Sequence, residues 1–131
     1  MMSVLSHITL GSNDLERSAR FYDPVLGVLG FSRLANQPEM LLAYEKDGVL
    51  PTIYICTPID DRPATWGNGT HIAFVADSRR QVHEFYELAL DHGGMCEGEP
   101  GLRPQYSPNY YAAYVRDPDG NKLQAVCYSE E

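Results

Sequence analysis

The chain has 131 residues, enough for one compact unit with a real core and too few for two independent domains. Its hydrophobic content of 44% is ordinary for a globular protein, and its formal net charge of −8 argues against nucleic acid and anionic membrane surfaces, which both need a basic face. No apolar run approaches the roughly 20 residues of a membrane span, and the N-terminus lacks the charged-then-apolar pattern of a secretion signal. The 3 cysteines, Cys56, Cys96 and Cys127, are an odd number at no metal-like spacing, which reads as reduced thiols in a cytoplasmic protein, with Cys56 and Cys127 in the core.

Residues 4–10 are apolar enough for a first strand. Asn13 is expected to cap a helix, with Glu16 completing a capping box. Leu15, Ala19, Tyr22 and Leu26 fall on one helical face. Pro24 lies inside this pattern and predicts a kink or break near Asp23. Gly27 and Gly30 are expected to end the helix, and Phe31 to start the next strand. Strands over 40–44 and 52–57 are separated by a turn at Asp47 and Gly48. Residues 58–69, polar and rich in proline and glycine, form a hinge.

The second half repeats this order. A strand over 71–75 leads to Asp77, the expected cap of a helix whose buried stripe is Val82, Phe85, Tyr86 and Ala89. Gly93 and Gly94 stop it. A strand near 95–97 follows, then a hairpin of strands over 110–116 and 122–128 around Asp117, Pro118, Asp119 and Gly120. His83 and His92 read as surface residues of the second helix, the latter suited to the dipole at its C-terminus.

The two halves are copies. An offset of 64 carries His7 onto His71, Phe21 and Tyr22 onto Phe85 and Tyr86, and Gly30 onto Gly94. An offset of 70 then carries Tyr44 onto Tyr114, Asp47 onto Asp117 and Tyr54 onto Gln124, the 6 extra residues falling in the stretch 97–109. The expected fold is therefore α+β. Module one spans 1–58, the hinge 58–69 and module two 70–131, and the two βαβββ modules form a curved eight-stranded mixed sheet, an incomplete barrel with its helices outside. The insertion is a natural place for binding residues. Arg103 suits a carboxylate or phosphate, Tyr106, Tyr110 and Tyr111 suit an aromatic wall over the cleft, and Trp66 in the hinge suits a lid or simple packing.

His7 in the first strand, the run Gly69, Thr70, His71, Ile72, Ala73, Phe74 in the fifth, and the run from Asp117 through Gln124 in the last hairpin resemble the vicinal oxygen chelate superfamily. That superfamily includes glyoxalases, extradiol dioxygenases and bleomycin-resistance proteins. The resemblance covers essentially the whole chain and implies a divalent metal (Zn, Ni, Fe or Mn) held at His7, Tyr54, His71 and Gln124. Two imidazoles suit such ions. The chain departs from the family pattern by placing Gln124 and Tyr54 where a carboxylate is usual, which leaves little charge for a dication and no obvious general base.

Two readings follow. One is a divalent-metal lyase, isomerase or dioxygenase on a small oxygen-bearing substrate. His7, His71 and Gln124 hold the ion in that reading, with Tyr54 and Gln124 as the catalytic candidates. The other is a metal-free protein that sequesters a small molecule, with the acidic net charge suiting a cationic ligand. The resemblance further implies a homodimer, with modules paired within one chain or exchanged between two.

Overall fold

The computed structural model describes residues 3–131. Its strands and helices are β1 (His7–Gly11), α1 (Leu15–Val28), β2 (Ser32–Arg33), β3 (Leu41–Lys46), β4 (Val49–Cys56), β5 (His71–Val75), α2 (Arg79–Asp91), β6 (Met95–Leu102), β7 (Tyr111–Arg116) and β8 (Lys122–Cys127). This is βαβββ twice, an α+β fold. The eight strands divide into two hydrogen-bonded mixed sheets of four, ordered β1-β4-β3-β2 and β5-β8-β7-β6, and do not close into a barrel. Hydrogen bonding thus stops at β1 and β5, which are sheet edges and not neighbours within a single sheet.

The repeat is visible in the register. His7 pairs with Thr52 and Thr9 with Tyr54, while His71 pairs with Lys122 and Ala73 with Gln124, so both parallel ladders keep one offset. The antiparallel ladders do not. Tyr44 lies opposite Ile53, but Tyr114 lies opposite Gln124, and Val115 takes the place facing Leu123. The two ladders thus differ by one residue, and a one-residue slip turns every side chain to the other face of its sheet. Tyr44 is buried under α1, with its hydroxyl donating to Asp23 at 2.6 Å. Tyr114, its counterpart in the repeat, points away from the helices, beside Gln124.

Helix α1 begins one residue later than expected, with Asp14 as its cap accepting from the Arg17 amide. Asn13 instead ties the hinge down, donating from its side chain to the Ala64 carbonyl and accepting from the Ala64 amide. In the second half Ser78, not Asp77, caps α2 by accepting from Gln81. Pro24 does not break α1, which runs continuously through it. Proline removes one ladder hydrogen bond, costing about 3 kcal/mol in an isolated helix interior. Here Phe21, Tyr22, Val25 and Leu26 on the same stretch are fully buried, each contributing roughly 1.5–3 kcal/mol, and that burial outweighs the loss. Gly27 lies inside the helix. The true stop is Gly30 at φ 94°, whose amide bonds the Gly27 carbonyl while the Phe31 amide bonds that of Leu26.

One core serves both modules. Phe21, Val25, Leu26 and Leu29 belong to the same buried cluster as Phe74, Val82, Phe85 and Ala89. The helices pack on each other, and Gly94 fits under Phe21 because a Cβ there would come within 2.8 Å of that ring.

A polar bolt joins the modules beside this core. The turn between β7 and β8 docks on the N-terminal half of α1. Asp119 accepts from the Asn13 amide at 2.9 Å and Arg17 at 2.7 Å, and Ser18 donates to its second oxygen. Asn121 donates to the Gly11 carbonyl at 3.0 Å. The buried Asp117 accepts from the Tyr22 hydroxyl, from Asn121 and from two amides of its own turn. Desolvation pushes the Asp117 carboxyl above its usual range, and the hydrogen bonds from Tyr22 and Asn121 pull the other way.

Because the folded value lies above that of the unfolded chain, ionising Asp117 costs stability as pH rises through this window. Removing the Tyr22 hydroxyl widens the window. Tyr22→Phe is therefore expected to lower stability by about 1–3 kcal/mol at neutral pH, and by less in acid, where Asp117 carries its proton in both states. Urea unfolding of both proteins from acid to neutral pH checks this, and a pH-independent difference would contradict it.

Candidate functional site

Strand alternation builds the site. β5 turns Ile72 and Phe74 toward the helices and leaves His71, Ala73 and Val75 on the open face. β8 adds Lys122 and Gln124 beside them, and β7 adds Tyr114. In the first module β1 turns Ile8 and Leu10 inward and presents His7 and Thr9, with Tyr54 alongside on β4.

The open face of the second module holds the densest cluster. His71 Nε2 lies 3.2 Å from Gln124 Oε1, and Gln124 Nε2 donates to the Tyr110 hydroxyl at 2.5 Å. Gln124 is only 1% exposed although it lies on the open face, because Tyr110, at the end of the insertion, folds over it. Tyr106 and Tyr128 flank Tyr110 at ring distances of 5.0 and 5.5 Å. The Tyr114 ring is a hub. His71 meets it at 6.3 Å, the Arg103 guanidinium at 5.5 Å and the Lys122 ammonium at 5.4 Å. Desolvation and a hydrogen bond with Tyr110 push the Tyr114 hydroxyl up to about 12, against a lowering pull from Arg103.

In the first module His7 Nδ1 lies 3.0 Å from the Ser6 hydroxyl, and its ring meets Tyr54 edge-on at 5.2 Å. Among the described residues no hydrogen bond or ring contact joins His7 and Tyr54 to His71 and Gln124. The structure thus forms two half-sites, one per module.

Two candidates lie elsewhere. Tyr111 faces α2, its hydroxyl 2.6 Å from His83 Nε2 and its ring under Arg79; being three residues from Tyr114, it alternates to the opposite face. Trp66 packs on Gly120 and carries Arg116 over its ring at 4.9 Å, so it buttresses the turn between β7 and β8. Cys127 is buried as expected, but Cys56 is half-exposed; all three thiols are free. Tyr114 and Lys122 escaped the sequence reading. The signal for Tyr114 was hidden by the repeat, which equated it with a core tyrosine.

The donor set can be tested against a divalent ion. Among the described residues no group of three or more His, Cys, Asp or Glu side chains is placed to hold one. Each half-site supplies two neutral donors and no carboxylate, and a dication needs more donors than two and charge to match. As one chain presents them, these residues do not fit a metal.

The family described as the glyoxalase/bleomycin resistance protein/dioxygenase superfamily matches residues 4–125. The chain belongs to this superfamily. It is 41% identical to a glyoxalase/bleomycin resistance protein from Albidiferax ferrireducens T118, covering 97% of this chain and 100% of that one with a TM-score of 0.85. A glyoxalase-related enzyme from Fulvimarina pelagi shares the fold at 23% identity, over 96% of this chain and 88% of that one, with a TM-score of 0.73. The lactoylglutathione lyase from Agrobacterium tumefaciens does so at 20%, over 97% and 95%, with a TM-score of 0.66. No curated protein matches the chain. Superfamily membership explains the duplicated modules, while the reaction lies in the side chains.

If the missing carboxylate is what denies the site a dication, restoring it has a measurable effect. Gln124→Glu is expected to raise Zn affinity at least tenfold over the natural chain, about 1.4 kcal/mol. Calorimetric titration of both proteins checks this, and equal affinities would show that charge at position 124 is not what limits binding.

Proposed function

We propose that this superfamily member is a metal-independent small-molecule binding protein that acts as a homodimer. The carrying observation is the buried Gln124 amide, held between His71 at its oxygen and the Tyr110 hydroxyl at its nitrogen under an aromatic cover. It anchors a cluster of Tyr106, Tyr110 and Tyr128 on the open face, and aromatic side chains with a few fixed polar groups are the make-up of a ligand site.

The sheet edges support the dimer. β1 and β5 end their sheets, and beside them an apolar cavity of about 240 Å³ is lined by Leu5, Ile8, Ile53, Ile72, Phe74 and Val75. Val75 is 67% exposed there. Apolar edges of this kind are covered by pairing, and a second copy has complementary edges to offer. In that dimer the His7 half-site of one chain faces the His71 half-site of the other. A cytoplasmic setting accords with the three free thiols, and among the described residues no helix is long and apolar enough to cross a membrane.

One observation favours a second reading, a divalent-metal lyase, isomerase or dioxygenase. His71 Nε2 and Gln124 Oε1, 3.2 Å apart, match the separation of neighbouring ligands on one ion, and a dimer would add His7 and Tyr54 to them.

Thermal unfolding of untagged protein, screened against small aromatic acids, amides and amines with and without chelator, separates the two. Stabilisation that survives the chelator is expected. Stabilisation only with added metal, together with metal content lost in the His7→Ala, His71→Ala double variant, would establish the second reading instead.

A further inference from the structure

The chain carries a net charge of −8, yet the open face of the second module has the opposite sign. Arg103 and Lys122 both stand over the Tyr114 ring, and neither makes an ion pair among the described residues. Arg116, two residues along β7, is paired with Glu97, which also feels Lys122 and is the carboxylate that ion-pairs on this face among the described residues. Three cations thus meet one carboxylate on the face that holds Gln124 and His71.

Arg103 is placed and not merely near. Its Nη1 donates to the Gly101 carbonyl at 2.9 Å and its Nη2 to the Glu99 carbonyl at 2.8 Å, which fixes the plane of the fork. A Cβ on Gly98 would stand 3.0 Å from the Tyr114 ring and 3.2 Å from Arg103 Nη2, and one on Gly101 would stand 3.3 Å from Nη1. The two glycines of β6 make the room in which the guanidinium folds back onto the sheet. Nothing in the core needs this arrangement. It holds a half-exposed cation against an aromatic ring with donors still unused, and backbone carbonyls, not a carboxylate, hold it, so its charge is not cancelled.

We infer that this face recognises a small planar molecule carrying a carboxylate or a phosphate, with the anion between Arg103 and Lys122 above the edge of Tyr114 and the ring of the molecule against the exposed Tyr106. The inference rests on the small-molecule binding reading above and gives that ligand its charge, opposite to the cation that the net charge suggests. His71 lies at the inner margin, where it donates to a ligand oxygen or to Gln124. Local field governs recognition here because exposed charges beyond about 10 Å are screened at ordinary salt.

The test uses the full chain and four probes at constant ionic strength: benzoate, phenyl phosphate, benzamide and benzamidine, followed by amide chemical shifts. Benzoate or phenyl phosphate is expected to bind at least tenfold tighter than benzamide and to shift residues of β7 and β8, and the stronger of the two names the anion. Arg103→Met and Lys122→Met are each expected to weaken that binding about tenfold, and Arg103→Lys to recover part of it, which guards against a variant that merely misfolds. Benzamide or benzamidine binding as well as the anions on the same residues would overturn the anion assignment and leave the binding reading standing. Anion binding unchanged in both methionine variants would overturn it too. No shift on this face with any probe would overturn both readings together.

Discussion

A buried aspartate sets how the two halves of this molecule dock. Asp117 sits at the base of the last hairpin with almost no access to water, and its partners come from both halves of the chain: Tyr22 from the first helix, Asn121 and two amides from its own turn. Desolvating a carboxylate costs several kcal/mol unless hydrogen bonds replace the lost water. Only the docked arrangement of the two modules supplies all of them. Asp119 and Asn121 extend the same logic to the start of α1 and the end of β1. The apolar cluster holds the modules together without direction, and the bolt fixes their orientation.

That orientation decides what the open faces can do. With the helices of both modules sharing one core, each sheet turns its other face outward, and the half-sites stay separate within a chain. The first module offers a histidine against a tyrosine. The second offers more, because the insertion lengthens β6 and carries Tyr106 and Tyr110 over Gln124. The same insertion brings Arg103 back to Tyr114, so the aromatic cover and the positive charge arise from one departure from the repeat.

Most of the architecture was legible because duplication doubles every signal. The strand over 71–75 and the glycine stop of α2 could be read directly, since Ile72 to Val75 is a short apolar run and Gly93 and Gly94 close the helical pattern. The caps lie one residue beyond their expected places in both helices, where Asn13 beside Asp14 and Asp77 beside Ser78 offer the chain two similar choices that only tertiary contacts decide. The local rule that proline breaks a helix fails at Pro24 because the packing of Phe21, Tyr22, Val25 and Leu26 overrides it. In the candidate site, the matching places of His7 and His71 on β1 and β5, and of Gln124 on β8, were legible through the repeat, but not that the two histidines make no contact with each other. Tyr114 and Lys122 were not, because their importance depends on which face a strand presents, and a sequence does not show the register of one strand against another. The inter-module role of the aspartate-rich turn was hidden for a similar reason: its partners lie about a hundred positions away.

The one-residue difference between the ladders of Tyr44 and Tyr114 has an outcome for how such proteins diversify. Pleated strands have only two sides, so a slip is discrete and a residue changes side in a single step. One half of a duplicated chain can keep a tyrosine as a pillar under its helix while the other turns the matching tyrosine into a platform, with no substitution at that position and no new backbone architecture. Indels at strand ends then become a source of novelty in their own right, and comparison of aligned letters alone will miss it.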